Sequence, residues 1–318
     1  MTIWTRTCWV KDCRKISKME KTLLVLAGPT AVGKTSCGID IARHFHTEII
    51  SADSRQIYRE CSIGTAVPSP AELARVRHHF IQVVSVKEAY NASMYEFQVL
   101  AKLEELFEKH DLVLMVGGSG LYIDAVCHGI DDLPTIDPAL RKQLLFRLES
   151  DGLEALNQEL KELDPVTYKQ VDLKNHMRVL KALEVSIQTG KPYSSFLSAK
   201  KKKRPFRILR MALDMERELL YDRINKRVES MMEDGLLEEV KQLQPLRNYT
   251  AMKTVGYREL FKHLDGKLSL EEAVDLIQRN TRKFARKQLT WFRKENRYQW
   301  FSPEDKVEMI RWIEESVS

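Results

Sequence analysis

No stretch of this chain approaches the roughly 18 consecutive apolar residues that a membrane-spanning helix needs, so no span is expected. Cysteine is sparse. Cys8, Cys13, Cys37, Cys61 and Cys127 form no C-x-x-C pair and have no histidine at zinc-finger spacing, which argues against structural zinc and fits a reduced cytoplasm. Long low-complexity segments and internal repeats are also missing. Acids are scarce in one place: Arg279 to Arg297 holds eight Lys or Arg against the single acid Glu295. That is a local +7 in a chain of net charge +6, so the remaining residues carry −1 and the basicity is local.

A solvated helix usually mixes its signs, whereas a surface that tracks phosphates does not. The basic stretch lies in a helical pattern from about Leu270 to Lys294. Ile277, Phe284, Leu289 and Phe292 are expected on its inner face, with Arg279, Arg282, Lys283, Arg286, Arg293 and Arg297 largely elsewhere. Nucleic acid is the leading partner for this helix. The run Lys200-Lys201-Lys202-Lys203-Arg204 before Pro205 points the same way, or is a mobile linker.

What is present is a chain of 318 residues, 43% hydrophobic, enough for a large core and about two domains. Residues 1–20 are expected to be a disordered extension or the product of an upstream start. Met1 to Lys18 carry two Trp and two Cys without periodicity or the amphipathic face of a transit peptide, and Met19 stands just before the first strand. The most specific motif is Gly28-Pro29-Thr30-Ala31-Val32-Gly33-Lys34-Thr35, set between an apolar strand, Leu23 to Ala27, and a helix from Thr35 to Phe45. In that setting the loop amides and the helix N-terminus bind phosphate oxygens, Lys34 adds a point charge, and the Thr35 hydroxyl can reach Mg²⁺. The motif specifies phosphate and is silent about the reaction.

Strand-like runs at Leu23 to Ala27, Thr47 to Ala52 and Leu112 to Val116 alternate with helical patterns, the signature of a parallel sheet in an α/β domain. Ligands in such sheets bind at the carboxyl ends of the strands. There stand the phosphate loop, Asp53-Ser54-Arg55-Gln56, and Gly117-Gly118-Ser119-Gly120, which should face one crevice. From Pro134 only helix signals appear: Asp137-Pro138, Asp164-Pro165, and a helix from about Lys174 that Gly190 and Pro192 end. Phe206 to Leu213 then reads as a strand, so the helical stretch interrupts the core. The expected fold class is α/β: a P-loop NTPase-like parallel sheet core, 21–133 and 200–318, with an inserted all-helical domain, 134–199, and a helical C-terminal region.

An NTPase usually places an Asp after an apolar strand to help hold Mg²⁺, but Leu112 to Val116 runs into Gly117-Gly118, which weakens the ATPase reading. The crevice instead offers Asp53, which can share a metal, act as a general base on an acidic or amine proton, or merely cap a turn with Ser54. Arg217, Arg223 and Arg227 recur at helical spacing after the strand from Phe206. One of them can clamp a phosphate, or all can pair with Glu216, Glu218 or Asp222 at the surface.

Five motifs in order are similar to the bacterial tRNA dimethylallyltransferase family, over about Leu23 to Phe301. They are the phosphate loop, Ser51-Ala52-Asp53-Ser54-Arg55-Gln56-Ile57-Tyr58, Gly117-Gly118-Ser119-Gly120-Leu121-Tyr122, Arg178-Val179-Leu180-Lys181-Ala182-Leu183-Glu184-Val185, and Val255-Gly256-Tyr257-Arg258-Glu259. The resemblance implies transfer of a dimethylallyl group from its diphosphate to the exocyclic amine of the adenine beside the anticodon, with Mg²⁺ and without ATP hydrolysis. It implies that Asp53 is the base and Ser119 orients substrate, and that Gly28, Pro29, Thr30, Ala31, Val32, Gly33, Lys34 and Thr35 bind the diphosphate. The implied tRNA contacts are Asp53, Ser54, Arg55, Gln56, Ser119, Arg141, Met177, Arg178, Val179, Leu180, Lys181, Lys253, Thr254, Val255, Gly256, Tyr257 and Arg258. The helical insertion would embrace the anticodon stem-loop of tRNA, and a cytoplasmic monomer with no membrane partner is expected. Two departures stand out: Ser119 replaces the family's usual Thr, keeping the hydroxyl, and Val32 replaces a frequent Ser at a position that acts through its backbone.

Three rivals remain at this point. A P-loop small-molecule kinase leaves the basic surface unexplained. A prenyltransferase of free adenine nucleotides has little use for the insertion, and a pure RNA-binding module needs neither Lys34 nor Asp53.

Overall fold

A computed structural model describes residues 20–131, 133–197, 202–294 and 296–318. The expectations for Met1 to Lys18, and for Lys200 and Lys201 of the lysine run, lie outside these residues. Six strands form one parallel sheet: β1 Thr22–Ala27, β2 Ile49–Ala52, β3 His78–His79, β4 Leu112–Gly117, β5 Arg207–Leu213 and β6 Gln299–Phe301, in the order β3-β2-β4-β1-β5-β6. The helices are α1 Lys34–His44, α2 Pro70–Arg75, α3 Ala92–Phe107, α4 Gly120–His128, α5 Pro138–Ser150, α6 Gly152–Leu163 and α7 Pro165–Gln170. They continue as α8 His176–Thr189, α9 Arg217–Glu233, α10 Leu236–Gln242, α11 Tyr257–Leu264, α12 Leu270–Arg293 and α13 Lys306–Val317.

β1 lies between β4 and β5, and every one of its residues is buried. A strand covered on both faces reads as a continuous apolar run, as Leu23-Leu24-Val25-Leu26-Ala27 does. Successive side chains alternate between faces, and on one of them Leu24, Leu26, Leu112, Leu114, Met211 and Leu213 form a single core with Ile39 and Ala42 of α1. Leu220 and Ile224 of α9, Ala285 of α12, and Met309 and Ile313 of α13 complete it.

The chain divides into two compact units: the sheet-bearing one runs up to Val86 and takes in Leu103–Gly118 and Pro205–Ser318, and the helical one comprises Lys87–Lys102 and Ser119–Arg204. The helical unit has its own core, with Leu144 of α5, Leu156 and Leu160 of α6, and Val179, Leu180, Ala182 and Leu183 of α8. Its helix starts are written in the sequence. Asp137 accepts from the Ala139 amide, and Asp164, fully buried, accepts from the amide and hydroxyl of Thr167 and of Ser194. Gly190, at φ 67°, ends α8 in the left-handed region that favours glycine.

The lysine run is partly accounted for inside this unit. Arg204 Nη2 and Lys202 Nζ lie 2.7 and 3.2 Å from Glu96 Oε1, and Arg204 also donates to the carbonyls of Ala125 and Val126. Burial alone would raise the Glu96 carboxyl, but the bonds from Arg204, the Ile130 amide and Lys202 outweigh it and hold the group below the usual carboxylate range. These two cations therefore tie the end of the unit to α3.

Candidate functional site

β2, β4 and β1 are neighbours in a parallel sheet, so the residues following them emerge side by side. After β1, Gly28 turns at φ 148°, where a Cβ would sit 2.9 Å from the Leu213 carbonyl oxygen. Ala31 at φ 64° and Gly33 at φ 108° also take positive φ, the backbone habit of loops whose amides can gather round an anion. Gly33 starts α1 with no side-chain cap, and the first turn of α1 contains no acid, so this helix start is open to an anion.

Lys34 Nζ donates to the Pro29 carbonyl at 2.6 Å, folded back over its own loop. Burial lowers its pKa to about 7, against an opposing pull from Asp53 and with a further push from Arg227. α9 supplies the other cations. Arg227 Nη1 donates to the Thr30 hydroxyl at 3.2 Å, and the Arg223 guanidinium lies 3.6 Å from where a Gly33 Cβ would stand. Arg217 stays apart, with its guanidinium 5.3 Å from the Tyr221 ring centre and Nε donating to that hydroxyl. Helical spacing could not choose among the three; the geometry selects Arg223 and Arg227.

After β2, Asp53 Oδ1 accepts from the amides of Arg55 and Gln56 at 2.8 and 3.3 Å, fixing the turn Asp53-Ser54-Arg55-Gln56 and leaving Oδ2 outside it. Gln56 Nε2 then donates to the carbonyls of Thr65 and Ala66. The loop before those residues is held by Glu239 of α10, whose carboxylate accepts from the amides of Ser62, Ile63 and Gly64 and from the Tyr257 hydroxyl at 2.6 Å. Sequence reading missed Glu239, since only the folded loop presents three amides to it.

After β4, Gly117 is required by close approach, since a Cβ would meet the Ala52 carbonyl oxygen at 2.1 Å, and at Gly118 a Cβ would meet the movable Gln288 Nε2 at 2.3 Å. Gln288, buried on α12, accepts from the Thr30 amide at 2.8 Å and donates to the Gly118 carbonyl at 2.9 Å. Ser119 is the next residue and starts α4.

The remaining candidates fall in different surroundings. Within the stretch Lys253 to Arg258, Lys253 and Arg258 are exposed, Thr254 and Val255 half-buried, and Gly256 and Tyr257 buried. Glu259, 1% exposed, accepts from the Gly256 amide, Arg258 Nε and Asn280 Nδ2 and so fixes the start of α11. In the helical unit, Met177 and Arg178 are exposed and Lys181 half-buried, whereas the Val179 and Leu180 side chains pack in its core. Arg141 Nη1 lies 3.2 Å from Glu184 Oε2, a fully buried carboxylate whose pKa burial raises. On α12 the expected inner face needs correction: Ile277 and Phe292 are buried and Leu289 packs against the core, but Phe284 is 45% exposed, and Ala285 and Gln288 turn inward instead. Lys283, Arg286 and Lys287 are exposed, while Arg282 donates to Asn225 and Arg293 pairs with Asp214.

Comparison with known proteins gives this geometry a lineage. The family model described as IPP transferase matches residues 56–295. The chain is 51% identical to tRNA dimethylallyltransferase 1 of Phocaeicola vulgatus, over 93% of this chain and 98% of that one. It is 50% identical to a tRNA dimethylallyltransferase of Christiangramia forsetii, over 94% and 100%. Among solved structures it is similar to the full-length tRNA isopentenylpyrophosphate transferase of Bacillus halodurans, with a TM-score of 0.68, 34% identity, and coverage of 94% and 97%. A eukaryotic dimethylallyltransferase acting on tRNA matches with a TM-score of 0.75 and 26% identity, over 91% of this chain and 75% of that one. With half of its residues shared across nearly its whole length, and a family match running from Gln56 in the Asp53 turn to the end of α12, the chain belongs to the IPP transferase family.

Proposed function

We propose that this protein transfers a dimethylallyl group from dimethylallyl diphosphate to the exocyclic N6 amine of the adenosine 3′-adjacent to the anticodon of tRNA, releasing diphosphate. The observation that carries the reading is that the phosphate loop after β1 and the Asp53 turn after β2 stand at the same end of one parallel sheet, with Arg227 of α9 on the Thr30 hydroxyl. In the reaction the allylic C–O bond breaks and its electron pair leaves on the diphosphate. The adenine nitrogen bonds to the allylic carbon and its proton passes to Asp53. The loop amides, Lys34, Arg223 and Arg227 would take up the charge growing on the leaving group. Ser119 would orient the substrate, and the target base must first leave the stack.

Mg²⁺ fits the donor set. Thr35 offers one hydroxyl oxygen directly after the loop lysine, a hard donor of the kind Mg²⁺ takes. A cation that keeps most of its water and takes phosphate oxygens from its ligand suits such a place, and Thr35 would hold it. When bound it would neutralise charge on the diphosphate.

The tRNA contacts proposed are Asp53 to Gln56 and Lys253 to Arg258 in the sheet-bearing unit, and Arg141, Met177, Arg178 and Lys181 in the helical unit. Val179 and Leu180 would serve only by holding α8, because their side chains are core. The exposed cations of α12 would support the stem backbone without reading sequence. Replacing Lys283, Arg286 and Lys287 together by Ala is therefore expected to weaken tRNA binding and to make the log affinity against log salt plot shallower by about 2 to 3. An unchanged slope would return α12 to an ordinary solvated surface. The reading takes the enzyme as a cytoplasmic monomer; no described helix is long and apolar enough to cross a membrane.

One assay tests the reaction against the kinase alternative. The purified chain is incubated with labelled dimethylallyl diphosphate, Mg²⁺ and unmodified tRNA, and in parallel with γ-labelled ATP. Label entering tRNA from the allylic donor alone is expected; label moving only from ATP would replace the proposal by a kinase.

A further inference from the structure

Gln288 is an uncharged side chain in the middle of a basic helix, yet it is buried and both ends of its amide are engaged. Its two partners come from distant parts of the sequence: the Thr30 amide inside the phosphate loop and the Gly118 carbonyl at the end of β4. A glutamine is suited to this place, since its planar amide offers both an acceptor and a donor, and its arm, longer than that of asparagine, spans from a helix to two loops. The contact is also exclusive. Gly118 has no Cβ, and one placed there would stand 2.3 Å from Nε2.

We infer that Gln288 is a positioning residue for the phosphate loop: by joining Thr30 to Gly118 it fixes the loop that follows β1 against the chain that leaves β4. This rests on the assignment of the loop to diphosphate proposed above. Gln288 itself need not touch the ligand. Its effect is on the geometry of the amides that follow Thr30, and amide cradles lose strength quickly when their donors are displaced.

Three variants test it in the full chain, with inorganic diphosphate and Mg²⁺ as the titrated ligand. Gln288→Met keeps the bulk and removes both bonds. Gln288→Glu keeps the acceptor for Thr30 but loses the donor to Gly118. Gly118→Ala leaves Gln288 in the sequence but pushes its amide away, because Nε2 is the movable end of a flexible side chain. Gln288→Met is expected to weaken diphosphate binding about tenfold, the order expected for one or two neutral hydrogen bonds. Gln288→Glu, which sets a carboxylate against the Gly118 carbonyl oxygen and negative charge near the diphosphate, should weaken it more, and Gly118→Ala about as much as Gln288→Met. The double variant Gly118→Ala, Gln288→Met should be no weaker than either single, because both remove the same clamp. Affinity for tRNA, measured separately, is expected to stay within about twofold in all of them.

Diphosphate affinity unchanged in Gln288→Met, equal losses for diphosphate and tRNA, or additive losses in the double variant would each overturn the inference. If the unmodified chain itself binds no diphosphate, the assignment of the loop fails, and the inference with it. Binding by the unmodified chain with no effect of Gln288→Met removes the inference alone.

Discussion

Substituting Asp53 by Asn is expected to lower kcat by about a thousandfold, within the range that a positioned general base contributes, while tRNA and diphosphate still bind. Asn is the informative choice because its amide oxygen can still accept from the Arg55 and Gln56 amides, which Asp53 Oδ1 holds at 2.8 and 3.3 Å. The turn is kept, while the capacity to accept a proton is lost together with the negative charge that acts on Lys34. Asp53→Ala removes both, so a larger loss of tRNA affinity in Ala than in Asn would measure the turn's share. Single-turnover rates with labelled dimethylallyl diphosphate, beside tRNA binding by filter retention, separate the two. An Asn variant retaining more than about a tenth of the rate would take Asp53 out of the base role.

Lys34 should show an equally large effect on the opposite side of the reaction. Lys34→Ala is expected to cost about 10² to 10³ in kcat/KM and to weaken diphosphate binding together with rate, since the ammonium meets charge in both ground and transition states. A second consequence follows from its pKa of about 7, lowered by burial while Asp53 pulls the other way. With a pKa lowered to about 7, burial favours the neutral form of Lys34 above that pH, and a diphosphate beside it restores the ordinary preference for the charged form. Binding at pH 8 should thus draw up to about one proton onto Lys34. Calorimetry in buffers of different ionisation enthalpy measures this uptake. Lys34→Arg, whose guanidinium stays charged, should bind without that component. Equal proton uptake by both proteins at pH 8 would mean that Lys34 is already charged before diphosphate binds.

The same lowered pKa bears on stability, with a definite sign. The unfolded chain holds the Lys34 proton up to about pH 10.4, the folded chain only up to about 7. Between those values the unfolded state binds more protons, so the penalty of burying Lys34 shrinks as pH rises through the window.

Different parts of this architecture were legible in the sequence to different degrees, for physical reasons. β1 and β4 announce themselves because a strand buried on both faces is an apolar run, whereas β5 carries Arg207 and Arg210 and is buried only from Met211 onward. His78–His79 and Gln299–Phe301 are too short to carry any period, and they become strands only because β2 and β5 offer them an edge. The phosphate loop and Asp53 were readable because their function lies in residue type and local order. The burial of Gln288 was not, because its partners are 258 and 170 residues away. Reading α12 by hydrophobicity sent Phe284 inward, whereas the helix is turned so that a polar amide reaches the strand ends there. Glu239 was invisible for a related reason: the three amides that it collects converge only once the loop has folded.

The two ends of the sheet bear on how this protein behaves when concentrated. β3 is two residues long and β6 three, so the outermost strand on either side offers few unpaired hydrogen-bonding groups in register, and the part of β5 that β6 leaves uncovered carries Arg207 and Arg210. A foreign strand seeking to extend the sheet would find a template shorter than the five or six residues typical of a strand. Lateral growth into cross-strand aggregates is thereby discouraged by geometry, and the long apolar strands that would propagate it stay sealed in the middle of the sheet.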